Sequence, residues 1–581
     1  MKTFKSIIFL GLCFCLTFVN AQQQVSREEA VNAAITTLKY HSVSQSINPS
    51  IDTVYSYFRN GKTLIYEVHF NTGEIVLLSG NRNCLPVLGY VASNDELEET
   101  HDAAQHSILS LDEKCPDGLK VFIEEYINQI EYCFTHSMTY SYASQWSDLQ
   151  QYDENRTRNI ILISPLTTTK WGQRESNDAN NFDIHAYNYY SPTGSNCNYY
   201  CYAGCGPVAL AQILRYWQSP FYVPSTCHYY HWSNMPDELL YDGGNNNDYE
   251  IQRNAIAQLI RDCGDALVAS YCNDNCETSA KPDSVVRALK KFRFNDACYY
   301  TESQAGSHSN WVNLLKQELF NNRPIFYAAY SSPLGEGGHG FVCDGYYKDV
   351  YDNEYFYFNW GWNGDYNNAY FTLPSLNPGS HNYQYNHRAI FNIHPSNCWE
   401  NVIFGCDKYF SFYNASYNAE GTIQNNNHIF SVSQESTVVL KAGEEIILTD
   451  GFNAGGLGVN FLAQIEPCAP DDLDIMANVG GDGIEERGAR RDGARPVSTT
   501  TTETGTITLY PNPAHNTLTV ESASPIREIT VYDMTGRAVM VETMCTSSLQ
   551  RVVNTSSLHT GIYIVKVVTD NGTEAAKFVK N

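Results

Sequence analysis

A cysteine at the start of a predicted helix has the surroundings that favour nucleophilic chemistry. Cys205 lies in the run Ala203-Gly204-Cys205-Gly206-Pro207, directly before an amphipathic segment. Proline is tolerated in a first helical turn, and the free N–H groups of that turn stabilise a thiolate. Cys205 is therefore a candidate nucleophile. The alternative interpretation is a half-cystine that pairs with Cys201 or Cys197.

A histidine and an asparagine further along the chain could assist a nucleophilic thiol. His339 stands between glycines at the mouth of a predicted strand, where it would be accessible as a general base. Asn359 ends the next predicted strand, and an asparagine there can fix the tautomer of an imidazole. The plainer interpretations are a surface histidine in a glycine turn and a tight aromatic turn.

A glutamine upstream of the cysteine could stabilise a developing oxyanion. Gln173, in Trp171-Gly172-Gln173, has a side-chain amide that can donate beside the backbone N–H of Cys205. A cysteine at a helix start, a histidine about 130 positions later and then an asparagine is a papain-like order. The predicted catalytic residues are Cys205, His339, Asn359 and Gln173, and Trp360, Trp362 and Gly338 are predicted to contact the substrate.

Composition limits the classes of partner. The chain has 581 residues with 43% hydrophobic and 17% charged, which predicts several globular domains. Its formal net charge of −26 repels phosphate backbones, so nucleic acid is not an expected partner. Close cysteine spacings are not followed by a tight His/Cys quartet, so neither a metal nor another cofactor is predicted.

The first residues predict export. A basic start, an apolar run over residues 7–19 and small residues up to Ala21 are typical of a secretory signal peptide, residues 1–21. No later segment reaches the ~20 apolar residues of a membrane helix. Export permits disulfides among the cysteines that remain after Cys13 and Cys15 leave with the signal.

Hydrophobic periodicity predicts the helices and strands that hold these residues. Residues 22–150 predict a small α+β unit, with a helix over residues 26–41 and a hairpin around Asn71-Thr72-Gly73. Residues 160–395 begin with amphipathic helices, one of them stopped at Gly264, and continue with strands. The predicted fold class is therefore α+β.

The C-terminal part predicts further modules. Residues 396–468 are β-rich, residues 471–506 are a linker of Gly, Arg and Thr, and residues 507–581 alternate as short strands. The C-terminal modules are expected to be β-sandwiches.

Several ordered motifs between residues 160 and 395 resemble the streptopain family of secreted bacterial cysteine peptidases. They are Trp171-Gly172-Gln173, Gly204-Cys205, residues 211–217, residues 338–345 and Asn359-Trp360-Gly361-Trp362. The resemblance implies a papain-like, two-part catalytic domain with Cys205 as nucleophile, His339 as base and Gln173 in the oxyanion hole. It leaves the orienting role shared between Asn359 and Trp360. The stretch from Gln173 to Cys205 looks longer than in that family.

The flanking regions carry resemblances of their own. Residues 22–150 are similar to the inhibitory prosegment of such peptidases, which implies a zymogen whose own prosegment is the inhibitor. Residues 507–581 resemble the sorting domain of the type IX secretion system, with Leu509-Tyr510-Pro511-Asn512-Pro513 among the matching pieces. That implies the type IX machinery as a partner and a product that is secreted or held at the cell surface.

The function expected from these features is a secreted cysteine endopeptidase, made as a zymogen, that hydrolyses protein or peptide substrates through a Cys205 thioester. The alternatives are a catalytically silent surface adhesin with Cys205 in a disulfide, and a cysteine transferase or amidase. For residues 22–150 the alternative is a permanent β-domain, and for residues 507–581 a carbohydrate-binding or adhesive β-sandwich.

Overall fold

The structure is a computed structural model that divides into two compact units, Met1–Ala477 and Asn478–Asn581. The residues that it describes are 23–41, 49–92, 107–112, 115–136, 142–153, 156, 161–175, 185–194, 197, 200–241, 247–273, 276–295, 297–302, 304–330, 338–367, 369–375, 387–396, 398–411, 415–467, 508–510, 517–533, 538–555, 558, 561–569 and 572–580. The predicted signal peptide and the predicted linker lie outside them. Within the described part, no helix combines the length and apolarity needed to cross a membrane.

The N-terminal region is an α+β unit, as its periodicity predicts. It contains α1 (Arg27–His41), β1 (Ile51–Arg59), β2 (Lys62–Phe70), β3 (Ile75–Ser79), β4 (Val87–Val91), α2 (Asp117–Thr135) and α3 (Ala143–Asp148). Strands β2 and β3 are antiparallel neighbours on either side of residues 71–74, so the predicted hairpin is confirmed. Helix α2 buries most of its apolar side chains.

The central region supplies helices first and strands second. Its helices are α4 (Cys205–Trp217), α5 (Asn247–Leu267), α6 (Ser284–Lys291) and α7 (His308–Phe320). Its strands are β5 (Ile161–Ile163), β6 (Tyr222–Val223), β7 (His228–Tyr229), β8 (Cys298–Thr301), β9 (Ile325–Tyr330), β10 (Gly338–Lys348), β11 (Glu354–Asn359), β12 (Ala369–Thr372) and β13 (Arg388–Phe391). Gly264 was predicted to stop α5, and that prediction is wrong. The residue lies inside the helix, where a Cβ would meet the hydroxyl of Tyr271.

One antiparallel sheet runs through both regions. Its order is β1-β2-β3-β4-β12-β11-β10-β9-β13-β8, with β5 on β10, so the pairing of β4 with β12 joins the N-terminal strands to the central ones. Alternate side chains of β9 point to opposite faces. Tyr327 packs into the core on the α2 side, whereas Phe326 and Ala328 pack into the core shared with α4, α5 and α6.

The β-rich module that follows is a stack of parallel strands. Its strands are β14 (Val402–Ile403), β15 (Lys408–Ser411), β16 (Ala415–Ala419), β17 (Thr422–Gln424), β18 (Phe430–Ser433), β19 (Thr437–Ala442), β20 (Glu445–Ile447), β21 (Phe452–Ala454) and β22 (Asn460–Ile465). They form three parallel sheets, β14-β17-β20, β15-β18-β21 and β16-β19-β22. The module is β-rich, as predicted, but it is not the expected sandwich. Its chain winds as a parallel coil, and each turn of the coil adds one strand to each of the three sheets.

The parallel module is fastened to the central region. A disulfide joins Cys227 to Cys406. Next to it, the ammonium of Lys408 lies 3.7 Å from the ring centroid of Tyr222 and donates to the hydroxyl of Tyr229 at 3.1 Å. Burial lowers the pKa of Lys408 to about 8. The parallel module also shares one apolar core with helices α4, α5 and α6.

The second unit is β-rich, as expected. Its strands are β23 (Thr508–Tyr510), β24 (Thr517–Asp533), β25 (Ala538–Asn554), β26 (Gly561–Thr569) and β27 (Gly572–Lys580). They form one antiparallel sheet in the order β23-β24-β26-β27, with β25 on β24. Residues 518–520 and 529–532 both belong to the single long strand β24, whose pairing shifts register between them, so the strands here are longer than the short ones predicted.

Candidate active site

The predicted nucleophile stands at the first residue of helix α4. Gly204 precedes it with φ +95°, a left-handed conformation, and a Cβ on Gly204 would come within 2.9 Å of Thr278. Glycine is therefore required there by both backbone and space. The half-buried Cys205 thiol accepts a hydrogen bond from the N–H of Gly340 at 3.3 Å.

The neighbouring cysteines form disulfides with partners other than Cys205. Cys197 pairs with Cys276, and Cys201 pairs with Cys272, so the loop before α4 is tied to residues that follow α5. Cys205 is a free thiol. The half-cystine interpretation of Cys205 is therefore not what the structure has.

The predicted base reaches the thiol from the sheet. His339 is the second residue of β10, and its imidazole lies near enough to the Cys205 side chain for the two groups to shift each other's pKa. The two residues come from elements 134 positions apart, since 339 minus 205 is 134. Gly340 next to it permits this approach, because a Cβ there would lie 3.3 Å from the Cα of Gly206.

The two groups shift each other's titration. Burial raises the pKa of the Cys205 thiol, but the hydrogen bond and charge of His339 and the N–H groups of Gly340 and Gly206 outweigh it and lower that pKa. Burial lowers the pKa of His339, and its bond to Cys205 and the charges of Cys205 and Asp117 outweigh it and raise that pKa. Both shifts favour a thiolate–imidazolium pair.

The glutamine predicted for the oxyanion lies beside the helix start. The backbone carbonyl of Gln173 accepts from the N–H of Ala203 at 2.9 Å, two residues before Cys205. Gly172 allows the side chain of Asn363 to pack against it, since a Cβ there would meet the Asn363 side-chain oxygen. The structure therefore brings Gln173 to the same end of α4 as the thiol.

The structure does not bring Asn359 to His339. The Asn359 amide donates to Thr167 Oγ1 at 3.1 Å and to the Thr169 carbonyl at 2.7 Å, and its oxygen accepts from Gly361 N–H at 3.2 Å. Asn359 is 2% exposed. The predicted orienting role is therefore not seen in these contacts: this buried amide ties the end of β11 to the chain that leads into Gln173.

Of the three residues predicted to contact the substrate, Trp360 is buried and Trp362 is partly buried. Trp360 is buried among Phe341, Phe358 and Phe122, and its indole N–H has no hydrogen-bond partner among the described residues. Trp362 is partly buried against the same core. Gly338 remains exposed, with the ring of Tyr330 filling the place of a Cβ.

Sequence reasoning missed the residues of helix α2 that lie over this site. Asp117 Oδ2 is 3.9 Å from His339 Nδ1, and Lys120 pairs with Asp117 at 2.8 Å. Gly118 packs so closely on Trp360 that a Cβ would come within 2.8 Å of the indole. Only the run Pro116-Asp117-Gly118 before an apolar-periodic segment signalled a helix start here. Within the described ranges, no group of three His, Cys, Asp or Glu side chains could hold a metal.

Comparison with known proteins identifies the central and C-terminal regions. Residues 183–371 match the Peptidase C10 family, and residues 508–581 match the secretion system C-terminal sorting domain. Streptopain of Streptococcus pyogenes serotype M28 is 23% identical over 415 residues, 64% of this chain and 92% of that protein. The thiol protease/hemagglutinin PrtT of Porphyromonas gingivalis is 31% identical over 198 residues, 31% of this chain and 21% of that protein.

Two solved structures are also similar. A fragment of Prevotella intermedia prointerpain A has a TM-score of 0.42 at 21% identity, covering 60% of this chain and all of that one. Active interpain A has a TM-score of 0.30 at 25% identity, covering 40% of this chain and 95% of that one. The chain is therefore a cysteine-type peptidase whose central region is similar to the Peptidase C10 family and whose C-terminal region matches a secretion system sorting domain.

Proposed function

We propose that this chain is the zymogen of a secreted cysteine endopeptidase that cleaves protein substrates by acyl transfer at Cys205. The observation that carries the proposal is the approach of β10 to the start of α4, where Gly340 donates to the Cys205 thiol at 3.3 Å and the adjacent His339 acts on the same thiol. The thiol pKa is lowered and the imidazole pKa is raised, although burial opposes both shifts. Groups that are shifted in opposite directions and held in contact are typical of a nucleophile and its acid–base partner.

The reaction follows from these positions. The Cys205 thiolate adds to a peptide carbonyl, and the resulting oxyanion accepts hydrogen bonds from the Gln173 amide and the Cys205 backbone N–H. His339 then protonates the leaving amine, which leaves a thioester on Cys205. Water attacks the thioester while His339 takes a proton, and the released acid regenerates the thiol.

The contacts of helix α2 support the proposal that the chain is made as an inactive zymogen. Its first turn lies over the site, with Asp117 near His339 and Gly118 against Trp360. Further along α2, Phe122 packs on Phe341 and Trp360. A peptide substrate would have to displace this turn to approach the imidazole. Residues 22–150 therefore act as an inhibitory prosegment until proteolysis removes them.

The sorting domain supports export to the cell surface, and the proposed route starts with cleavage of the signal peptide, residues 1–21. The proposed partners are protein or peptide substrates, the prosegment and the type IX machinery. The disulfides of the central region fit an oxidising compartment.

Thiol labelling tests the nucleophile. After trypsin has removed the prosegment, iodoacetamide at pH 6 should label Cys205 and abolish cleavage of casein in reducing buffer. Cys343 is the matched control. It lies on the same strand as His339, and burial and the charge of Asp344 raise its pKa well above the ordinary thiol value. Cys205→Ala should lose both labelling and activity, whereas Cys343→Ala should keep both.

Two results would refute the peptidase. Full caseinolysis by Cys205→Ala would exclude the thioester route. An unlabelled Cys205 in an inactive wild type would favour the surface adhesin. Sequencing of the products separates the amidase or transferase, because only an endopeptidase makes new termini at internal bonds.

Substitution of Gly118 tests the prosegment. Alanine should stabilise an isolated helix by up to about 1 kcal/mol relative to glycine. Here the Cβ would clash with Trp360 at 2.8 Å and Phe341 at 2.9 Å, so Gly118→Ala should loosen α2 and make the uncleaved chain react faster with iodoacetamide. Glu124→Ala, at an exposed position of the same helix, is the control and should leave that rate unchanged. Equal rates for both variants would contradict the covering role.

A further inference from the structure

A half-buried arginine lies in the same cross-strand row as the backbone that contacts the nucleophile. Arg388 of β13 is paired with Ala328 of β9, and Ala328 is paired with Gly340 of β10. Gly340 donates to the Cys205 thiol. Directly paired residues share a face of the sheet, and neighbouring strands are about 4.8 Å apart. The Arg388 Cα is therefore about 10 Å from Gly340, with one alanine between them.

The Arg388 guanidinium is held by Tyr330, whose ring packs next to His339. Its Cζ lies 4.6 Å from the ring centroid of Tyr330, and its Nη1 donates to the Tyr330 hydroxyl at 3.2 Å. The same ring packs on Gly338, where a Cβ would meet it at 2.4 Å, and Gly338 precedes His339. Burial raises the pKa of Tyr299, and the charge of Arg388 opposes that rise, so the guanidinium acts on this tyrosine as well. The Tyr330 ring and hydroxyl therefore orient the cation next to the site.

Arg388 lacks the partner that a half-buried guanidinium normally has. Among the described residues it forms no ion pair, and its Nε is buried without a hydrogen-bond partner. Burial raises the pKa of Tyr330, the charge of Arg388 opposes that rise and the charge of Asp283 adds to it. Asp283 is thus close to the tyrosines, yet it does not pair with Arg388. Leaving a buried N–H unpaired is costly, so a donor kept free beside a catalytic pair indicates a ligand.

We propose that Arg388 determines substrate specificity by binding the carboxylate of an acidic side chain in the peptide near the scissile bond. A guanidinium has five donors in a planar fork that matches a carboxylate, and the Tyr330 hydroxyl leaves several of them available. The rest of the chain is strongly acidic, with a net charge of −26, so an acidic peptide would be repelled elsewhere and attracted here. The inference rests on the proposed peptidase activity and names the substrate class.

Paired peptides test the inference. Quenched fluorescent peptides carry Glu or Gln at one position at a time on each side of the cleaved bond, and kcat/KM is measured with the trypsin-activated full chain. We expect the wild type to prefer Glu over Gln by roughly tenfold or more at one position. Arg388→Met should bring that ratio close to one, and Arg388→Lys should leave an intermediate ratio, because lysine keeps the charge without the fork.

The ratio is an internal standard, so a general loss of activity in a variant does not move it. Arg261→Met is the matched control, since Arg261 pairs with Asp265 on helix α5 at 2.8 Å, and it should keep the wild-type ratio. A wild-type ratio of one at every position, or a preference that survives Arg388→Met, overturns the inference alone. A wild type that cleaves no peptide overturns the proposed peptidase and the inference with it.

Discussion

Helix α2 is held to the catalytic region by a buried ion pair whose removal should release it. Glu125 of α2 lies 3.0 Å from His387, which precedes β13, and the two residues are 2% and 1% exposed. The other imidazole nitrogen shares a hydrogen bond of 2.6 Å with the Tyr327 hydroxyl. The substitution Glu125→Gln keeps the shape of the side chain and removes its charge.

The expected cost follows from burial. Removing one partner of a buried ion pair typically costs 3–5 kcal/mol, because the other charge is left uncompensated. His387 can relieve part of this by losing its proton, so we expect about 3 kcal/mol, the lower end of that range. Since 1.4 kcal/mol is a tenfold change, the opening of α2 should become roughly a hundredfold more favourable.

The wild-type pair also predicts a pH dependence. Burial lowers the pKa of His387, but the charge and hydrogen bond of Glu125, together with the charge of Glu302, outweigh it and raise that pKa above its ordinary value near 6.5. A raised pKa means that the stabilisation is complete below pH 6.5 and is lost as pH rises through the raised value. His308 pairs with Glu302 at 3.0 Å and faces the same cluster.

Hydrogen exchange measures the opening of α2 directly. Protection factors of its amides, corrected for intrinsic rates, are compared at pH 6 and pH 8.5 in a Cys205→Ala background that cannot process itself. Glu125→Gln should lower protection roughly a hundredfold at pH 6 and should no longer lose protection as pH rises. Glu131→Gln is the control, because Glu131 makes a surface pair with Arg59 at 3.5 Å, worth up to about 1 kcal/mol. The same pH dependence in Glu125→Gln and wild type would show that the Glu125–His387 pair does not hold α2 in place.

Three further predictions concern the site and the module attached to it. Gln173→Ala should lower kcat by roughly 10²–10³ with little change in KM, measured on a fluorogenic peptide, because it removes one oxyanion donor. Asn359→Ala should lower the unfolding free energy by about 1–3 kcal/mol, measured by thermal melting, and should leave the pH profile of kcat/KM in place, because its partners are structural. Cys406→Ser should destabilise the chain by about 2–5 kcal/mol, because Cys227 and Cys406 close a large loop.

Each of these has an outcome that contradicts it. An unchanged kcat in Gln173→Ala would remove that amide from the oxyanion hole. A displaced acid limb of the pH profile in Asn359→Ala would restore the orienting role to this residue. A melting temperature of Cys406→Ser equal to that of the wild type would show that the shared apolar core alone holds the module.

Much of the site could be predicted because its signals are local. A helix start depends on adjacent residues, so Gly204, Cys205 and Pro207 by themselves indicate a stabilised thiolate. Period-two and period-3.6 patterns likewise locate α1, the β2–β3 hairpin and most of the central helices and strands. The prediction for Gly264 was wrong because a glycine after an apolar pattern resembles a helix stop, whereas its small size serves a contact with Tyr271.

The sequence alone determined the types of chemistry and their order along the chain, since backbone dipoles, periodicity and charge act between near neighbours. Only the tertiary structure decided which distant groups meet. It paired Cys197 and Cys201 with cysteines beyond α5, turned Asn359 towards Thr167, and set Glu125 against His387 across 262 positions. Such contacts depend on sheet register and on the packing of whole elements, and a chain of residue types does not contain that information in any local window.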